Sequence, residues 1–381
     1  MKFPSFSIGE VWKELHRFQS LDEKKRSIVF YAENKASMNH FKGLIFELSE
    51  NMNLNICYVT SVKDDFMLSV KQQNLESFYI GEGAARTKFF LTLNTKILIM
   101  DMPDLEKFHI KRSKVYPVHY IYIFHSMFSI HSYLREGALD HYDTIFCVGP
   151  HHVNEIKETE KFYNLKPKEL ISYGFPRLDT LIKEKENLPK EFLKSKNLIL
   201  IAPSYGENNL LEVCGIELIN ILLKSNFKVF LRPHFKILKE SKNLIEEIIK
   251  EFGNNPNFSL EKGIIPSDIF NSSLCMISDW SGISLEYAFT FEQPVFFIDV
   301  PKKILNINSN SISLEPIEIS IRHDLGYVIS VNDLEKIPSL ITESNDQISK
   351  NINSIRNKTV YNIGKSSLVG AEYIKNLRDN L

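Results

Sequence analysis

Residues 278–289 read SDWSGISLEYAF. The apolar run LCMI (274–277) leads into this stretch, and TFEQPVFFIDV (290–300), a second apolar run behind a proline, follows it. A strand, a small polar turn, a helix with a glutamate in its first turns and a second strand make a βαβ unit, with the polar turn at the carboxyl end of the first strand. Such a turn can cradle a phosphate, because N–H groups at a helix start are unpaired and the helix dipole favours an anion there. The plainer alternative is an ordinary helix cap supplied by Ser278, Asp279 or Ser281. The turn alone leaves both open.

The rest of the chain is built in the same way. SIVFYAEN (27–34), LNICYVTS (54–61), ESFYIGEG (76–83), KILIMDMPD (96–104), HYIYIFHS (119–126) and YDTIFCVGP (142–150) are short runs rich in Ile, Val, Phe and Tyr that end in polar or glycine residues. Helical patterns such as HFKGLIFELSENM fill several of the gaps. The alternation restarts with NLILIAPS (197–204), a helix near 207–224, FKVFLRPH (227–234), a helix near 236–253, FSLEKG (258–263), LCMISDWS (274–281) and PVFFIDVP (294–301). This predicts an α/β protein of two Rossmann-like, doubly wound parallel-sheet domains facing across a cleft. The domains are read as 1–185 and 186–345, joined by the polar stretch 183–197, with a polar helical tail over 346–381. Near the start, Ile8, Val11, Trp12, Leu15 and Phe18 share one helical face, which predicts docking on the body of the protein.

At 381 residues the chain has room for two domains and a large core. Its 46 Lys and Arg nearly balance 47 Asp and Glu, so no global field argues for nucleic acid and an anion site must be local. The four cysteines are far apart, form no CxxC pair and read as reduced core thiols. No apolar stretch reaches membrane-span length and no signal peptide follows Met1, which predicts a cytoplasmic protein.

Facing domains of this kind place a ligand at the carboxyl ends of their strands. Those ends carry Glu33-Asn34, Asp101, His125-Ser126, Pro203-Ser204-Tyr205, Arg232-Pro233-His234 and Ser278-Asp279-Trp280-Ser281-Gly282. His125 can serve as a general base, although six histidines between 119 and 152 make any one of them weak evidence. Arg232 can grip a phosphate and His234 can stabilise a leaving phosphate, or both belong to a solvated loop. In YGFPRLDTL (173–181) Gly174 begins a turn into a helix, and Arg177 and Asp179 are placed to pair locally. No GxGxxG, P-loop, HxxxH or DxD-like pattern occurs at a strand end, so neither a metal nor another cofactor is required. The basic loop EKFHIKRSK (106–114) is expected on the cleft side, to contact an anionic acceptor or simply to be solvated.

Taken in order, HSMF, YDTIFCVGP, YGFPRLDTL, LILIAPSYGE, FLRPH and ISDWSGISLEYAFTFEQPVFFID resemble the CDP-glycerol glycerophosphotransferase family, which includes teichoic acid primases and polymerases and capsule transferases. The resemblance covers roughly residues 119–300 and is densest over 274–300. It implies a GT-B fold and transfer of glycerol phosphate, or a related polyol phosphate, from a CDP-activated donor such as CDP-glycerol to an acceptor hydroxyl, releasing CMP. It implies that His125 is the general base and that His234 lies beside the donor diphosphate. Ser278, Asp279, Ser281 and Gly282 match the stretch near the donor phosphate, and Glu286 a ribose or donor contact. The acceptor is implied to be a lipid-linked glycan or polyol phosphate at the inner membrane face, with peripheral attachment of the enzyme. The chain departs from the family in having His125-Ser126 for His-Gly, His234-Phe235 for His-Pro, and Asp-Trp-Ser-Gly for Asp-Tyr-Ser-Ser. Ser126 narrows the room for the acceptor. Gly282 keeps the turn small enough for a phosphate to approach. Three other readings share the fold: a nucleotide-sugar glycosyltransferase, a sugar-nucleotide 2-epimerase, and a nucleotide-binding partner without activity.

Overall fold

The alternating apolar runs resolve, in the computed structural model, into two parallel sheets with helices between their strands. The structure describes residues 8–188, 197–261, 267–302, 306, 308–343 and 346–381. The first sheet contains β1 (Ile28–Ala32), β2 (Ile56–Thr60), β3 (Leu75–Tyr79), β4 (Ile97–Met100), β5 (His119–Ile123), β6 (Thr144–Cys147) and β7 (Glu169–Ser172), in the order β3-β2-β1-β4-β5-β6-β7. The second contains β8 (Leu198–Ala202), β9 (Lys228–Leu231), β10 (Phe258–Leu260), β11 (Cys275–Ser278), β12 (Val295–Asp299) and β13 (Gly326–Ser330), in the order β10-β9-β8-β11-β12-β13. The pairings are parallel, which requires crossover connections between successive strands. β1, β2, β4 and β6 are buried along their whole length, which is why they read as unbroken apolar runs.

Two strands escape a reading by apolar runs. β7 is half exposed and ELIS offers no buried run, while β13 begins at Gly326 and lies at a sheet edge. The other strands are shorter than their apolar runs predict, because the polar residues at their carboxyl ends belong to the following loops. The helix expected over 236–253 breaks at Ser241 into Phe235–Glu240 and Lys242–Phe252. Residues 262 and 263 of the FSLEKG run, and 189–196 of the polar join, lie outside the described residues.

Strand order reverses between β1 and β4 in one sheet and between β8 and β11 in the other. At such switch points neighbouring loops diverge and leave a crevice. The crevices are therefore framed by the loops after β1 and β4 on one side, and by those after β8 and β11 on the other.

The first helix, Ile8–Gln19, docks on the body as its periodicity predicts. Phe18 packs edge-on against Phe78 and Phe89, at 5.4 and 5.3 Å between centroids, while Trp12 stays exposed. The C-terminal residues do more than trail as a polar tail. Helix Ser366–Asn380 returns to the first sheet, where Ala371 and Ile374 are fully buried in one cluster with Ile28, Ile97, Phe146 and Tyr173. A side chain at Gly370 would meet Tyr173 at 2.4 Å, so this close approach needs glycine. All four cysteines are buried and unpaired.

Candidate active site

The loops at the two switch points enclose a cleft cavity of about 300 Å³. The first domain contributes His40, His125, Ser126 and Arg177; the second contributes Ser204, Tyr205, Arg232, His234, Ser281, Gly282 and Glu286. Two guanidinium groups line it against the single carboxylate of Glu286, a balance suited to an anionic ligand.

His125 stands two residues beyond β5. Its Nδ1 lies 3.2 Å from the backbone carbonyl of Asp101. A carbonyl can only accept, so Nδ1 carries the proton and Nε2 of the neutral ring presents a lone pair. Burial lowers the pKa of His125 below its ordinary value, against the opposing pull of that carbonyl. The ring is therefore neutral and able to accept a proton near neutral pH. Beside it the Asp101 carboxyl is buried, accepts a hydrogen bond from Ser37 Oγ at 3.0 Å, and is pushed up to about 7 by burial.

His234 has the opposite polarity. It caps the helix Phe235–Glu240, its Nδ1 accepting from the Lys236 N–H at 3.2 Å. The proton of the neutral ring therefore sits on Nε2, making that edge a donor. The ring packs on Tyr205 at 4.5 Å between centroids. Nearby Arg232 is half-buried and has no carboxylate within salt-bridge distance among the described residues; burial lowers its pKa while Glu286 opposes that shift. A half-buried guanidinium without an ion pair is a ready anion site.

The SDWSG turn divides its labour. Ser281 and Gly282 line the cavity. Helix Ile283–Phe291 begins at Gly282 with no side-chain cap, so the expected alternative of a serine or aspartate cap does not hold. Ser278 and Asp279, read from the sequence as donor contacts, lie behind the turn. Ser278 Oγ donates to the Ala202 carbonyl at 2.7 Å. Asp279 accepts from the Ser204 N–H (2.6 Å), the Ser204 hydroxyl (3.0 Å) and the Leu210 N–H (2.9 Å), fastening the loop after β8 to the turn after β11. Ser204 and Tyr205 reach the cavity through this bracket, whereas Pro203 supports it from outside the lining.

The YGFPRLDTL segment also separates its roles. Arg177 and Asp179 do not pair with each other. Arg177 Nε meets Glu286 Oε2 at 2.8 Å across the cleft. Asp179 instead accepts from the N–H groups of Gly364 (2.7 Å) and Ser366 (3.0 Å), capping the C-terminal helix. Gly174 lies outside the lining; with φ of +105° and Tyr361 O only 2.4 Å from any added Cβ, it serves the packing of that helix. The basic loop 106–114 also stays off the cavity wall. His109 pairs with Glu33 at 2.7 Å, and Arg112 pairs with Asp143 at 3.0 Å.

Three residues not legible in the sequence bear on the cleft, one in its lining and two behind it. His40 lies on the helix Met38–Phe46, where HFKGLIFEL reads only as an amphipathic pattern. Glu318 and Arg322 tie the two walls together. Glu318 accepts from the Ser129 N–H at 3.0 Å in the loop that follows His125. Arg322 donates to the carbonyl of Glu318 (3.0 Å) and to that of Asp279 (3.2 Å), and its guanidinium lies 3.4 Å from the Trp280 ring centre. The loop after β5 and the turn after β11 thus share one buried brace.

The sequence pattern of the CDP-Glycerol:Poly(glycerophosphate) glycerophosphotransferase family matches residues 13–302. No curated protein matches the chain in sequence. Solved structures share its fold. The wall teichoic acid polymerase TagF is 14% identical over 97% of this chain and 94% of its own, with a TM-score of 0.57. A TagF variant soaked with CDPG reaches a TM-score of 0.61 at 15% identity, covering 97% and 94%. UDP-GlcNAc 2-epimerase from Neisseria meningitidis, bound to UDP-GlcNAc, gives 0.58 at 13% identity over 92% of this chain and 99% of its own. The family match extends well beyond the motifs, to the first helix and the whole first sheet, and this GT-B-type protein is an enzyme of the CDP-glycerol glycerophosphotransferase family.

Proposed function

We propose that the cleft holds CDP-glycerol with its diphosphate over the Ser281–Gly282 turn, and that His125 activates the acceptor hydroxyl. The acceptor oxygen attacks the phosphorus bearing glycerol and its proton passes to His125 Nε2. The bond from that phosphorus to the bridging oxygen breaks, and CMP leaves. Charge gathering on CMP is met by Arg232, by the Nε2–H of His234 and by the uncapped start of the helix Ile283–Phe291. This route uses no metal or other cofactor. The observation that carries the reading is the opposed tautomers of the two cleft histidines, a proton acceptor on one wall and a donor on the other.

The finer assignments belong to the same proposal. The acceptor is a lipid-linked glycan or polyol phosphate of a capsule or teichoic acid type, and the enzyme works at the cytoplasmic face of the membrane as a peripheral protein. Among the described residues no helix is long and apolar enough to cross a membrane.

Calorimetry with CMP, UDP and CDP-glycerol, on wild type and Ser281→Trp, tests the reading. The expected result is a preference for cytidine nucleotides that the substitution abolishes. A preference for uridine nucleotides would replace this reading with the glycosyltransferase or the epimerase. Tight nucleotide binding without CMP release in the presence of acceptor would leave a non-catalytic partner.

A further inference from the structure

His40 stands on the helix that follows β1, at the switch point of the first sheet. It is 4% exposed, packs on Phe175 at 5.6 Å between centroids, and yet lines the cleft. Its Nδ1 is sealed from solvent without a hydrogen-bond partner among the described residues. An orphaned buried N–H is rarer in folded proteins than an under-used acceptor, so the proton belongs on Nε2. With the Nδ1 edge sealed, that Nε2–H is the polar group His40 offers to the cavity.

We propose that His40 is an acceptor-binding residue that recognises the hydroxylated end of a polyol, donating Nε2–H to one hydroxyl while His125 takes the proton from its neighbour. This rests on the reading of His125 given above. His40 belongs to the same domain as the base and lines the same cavity as His125, which is where an acceptor handed to that base would sit. The ligand class follows from charge. Burial, with the positive field of Arg177, pushes the His40 pKa down to about 3. A ring held neutral in this way suits an uncharged hydroxyl, and Asn39 on the same helix adds a second neutral polar group to the lining.

The test uses glycerol 3-phosphate and CMP as separate probes. Wild type, His40→Phe and His40→Gln are each titrated, with the histidine ring nitrogens of wild type followed by ¹⁵N NMR. The expected result is saturable binding of glycerol 3-phosphate that shifts the His40 resonances from an Nε2–H tautomer. His40→Phe should weaken that binding by about tenfold, the loss of one good hydrogen bond. His40→Gln, which keeps a donor, should retain part of it, and CMP affinity should stay within about twofold in both. Equal affinity for glycerol 3-phosphate in wild type and His40→Phe overturns the proposal, as does the absence of saturable binding. CMP binding reports on the donor reading independently: His40-dependent polyol binding without CMP binding would remove the donor assignment and keep this one.

Discussion

Arg177 and Glu286 meet at 2.8 Å although 109 residues separate them, one on the first domain and the other on the helix Ile283–Phe291 of the second. The contact puts Glu286 between two guanidinium groups, since Arg232 also feels its field. Glu286 therefore sets how much positive charge the cleft presents, and Arg177 sets where the carboxylate stands. We expect Arg177→Ala and Glu286→Ala each to reduce turnover, and the double variant to be no worse than the weaker single, because each removes the same contact. Strictly additive losses in a double-mutant cycle would show that the two residues act separately.

His125→Ala should lose about 10²–10⁴-fold in kcat, the usual worth of a general base. Because burial lowers the pKa of His125 and a general base must be unprotonated, the proposed role predicts that activity persists below pH ~6.5, where an ordinary histidine would already be charged. A pH–rate profile locates the acid limb. A loss of less than tenfold in His125→Ala would remove it from the mechanism.

His234 caps a helix through Nδ1, and in the proposed reaction it also offers Nε2–H to the leaving group. Asparagine can keep the first duty without the reach of the second. His234→Asn should keep its thermal stability while losing about 10²-fold in kcat. His234→Ala should lose the same activity and about 1 kcal/mol of stability with the cap. An asparagine variant with wild-type turnover would reduce His234 to a cap.

Ser126 and Gly282 face each other across the cleft, and a Cβ at Gly282 would stand 3.3 Å from Ser126 Oγ. The family pattern has these residue types interchanged: glycine follows the base and serine ends the turn. The two departures thus compensate in space. Gly282→Ser alone should crowd Ser126 and lower kcat/KM by about tenfold, as small displacements at reacting centres do. Adding Ser126→Gly should restore most of the loss. An equally impaired double variant would show that the hydroxyl is needed on the first domain.

The strands of both sheet interiors were legible because buried parallel strands must be apolar on both faces, and the first helix because its apolar residues recur with helical period. β7 and β13 were not legible, since an edge strand half open to solvent needs no apolar run. His125, Arg232, His234 and Ser281-Gly282 could be read at strand ends because polar residues that interrupt a buried run must lie in a loop. Ser278 and Asp279 belong to the same motif as Ser281, yet they face the scaffold, and no spacing rule separates a residue that grips a ligand from one that grips the loop doing so.

By itself the sequence determined the α/β alternation, the two doubly wound halves and the ends of strands at which chemistry gathers, because these follow from local periodicity and from burial along single elements. Tertiary structure alone decided which of those ends share a cavity, that Arg177 reaches Glu286 rather than Asp179, that the C-terminal helix closes the first sheet, and that His40 joins His125. Those are contacts between residues tens to hundreds of positions apart, set by strand order and by how two sheets pack, and no local pattern in the chain encodes them.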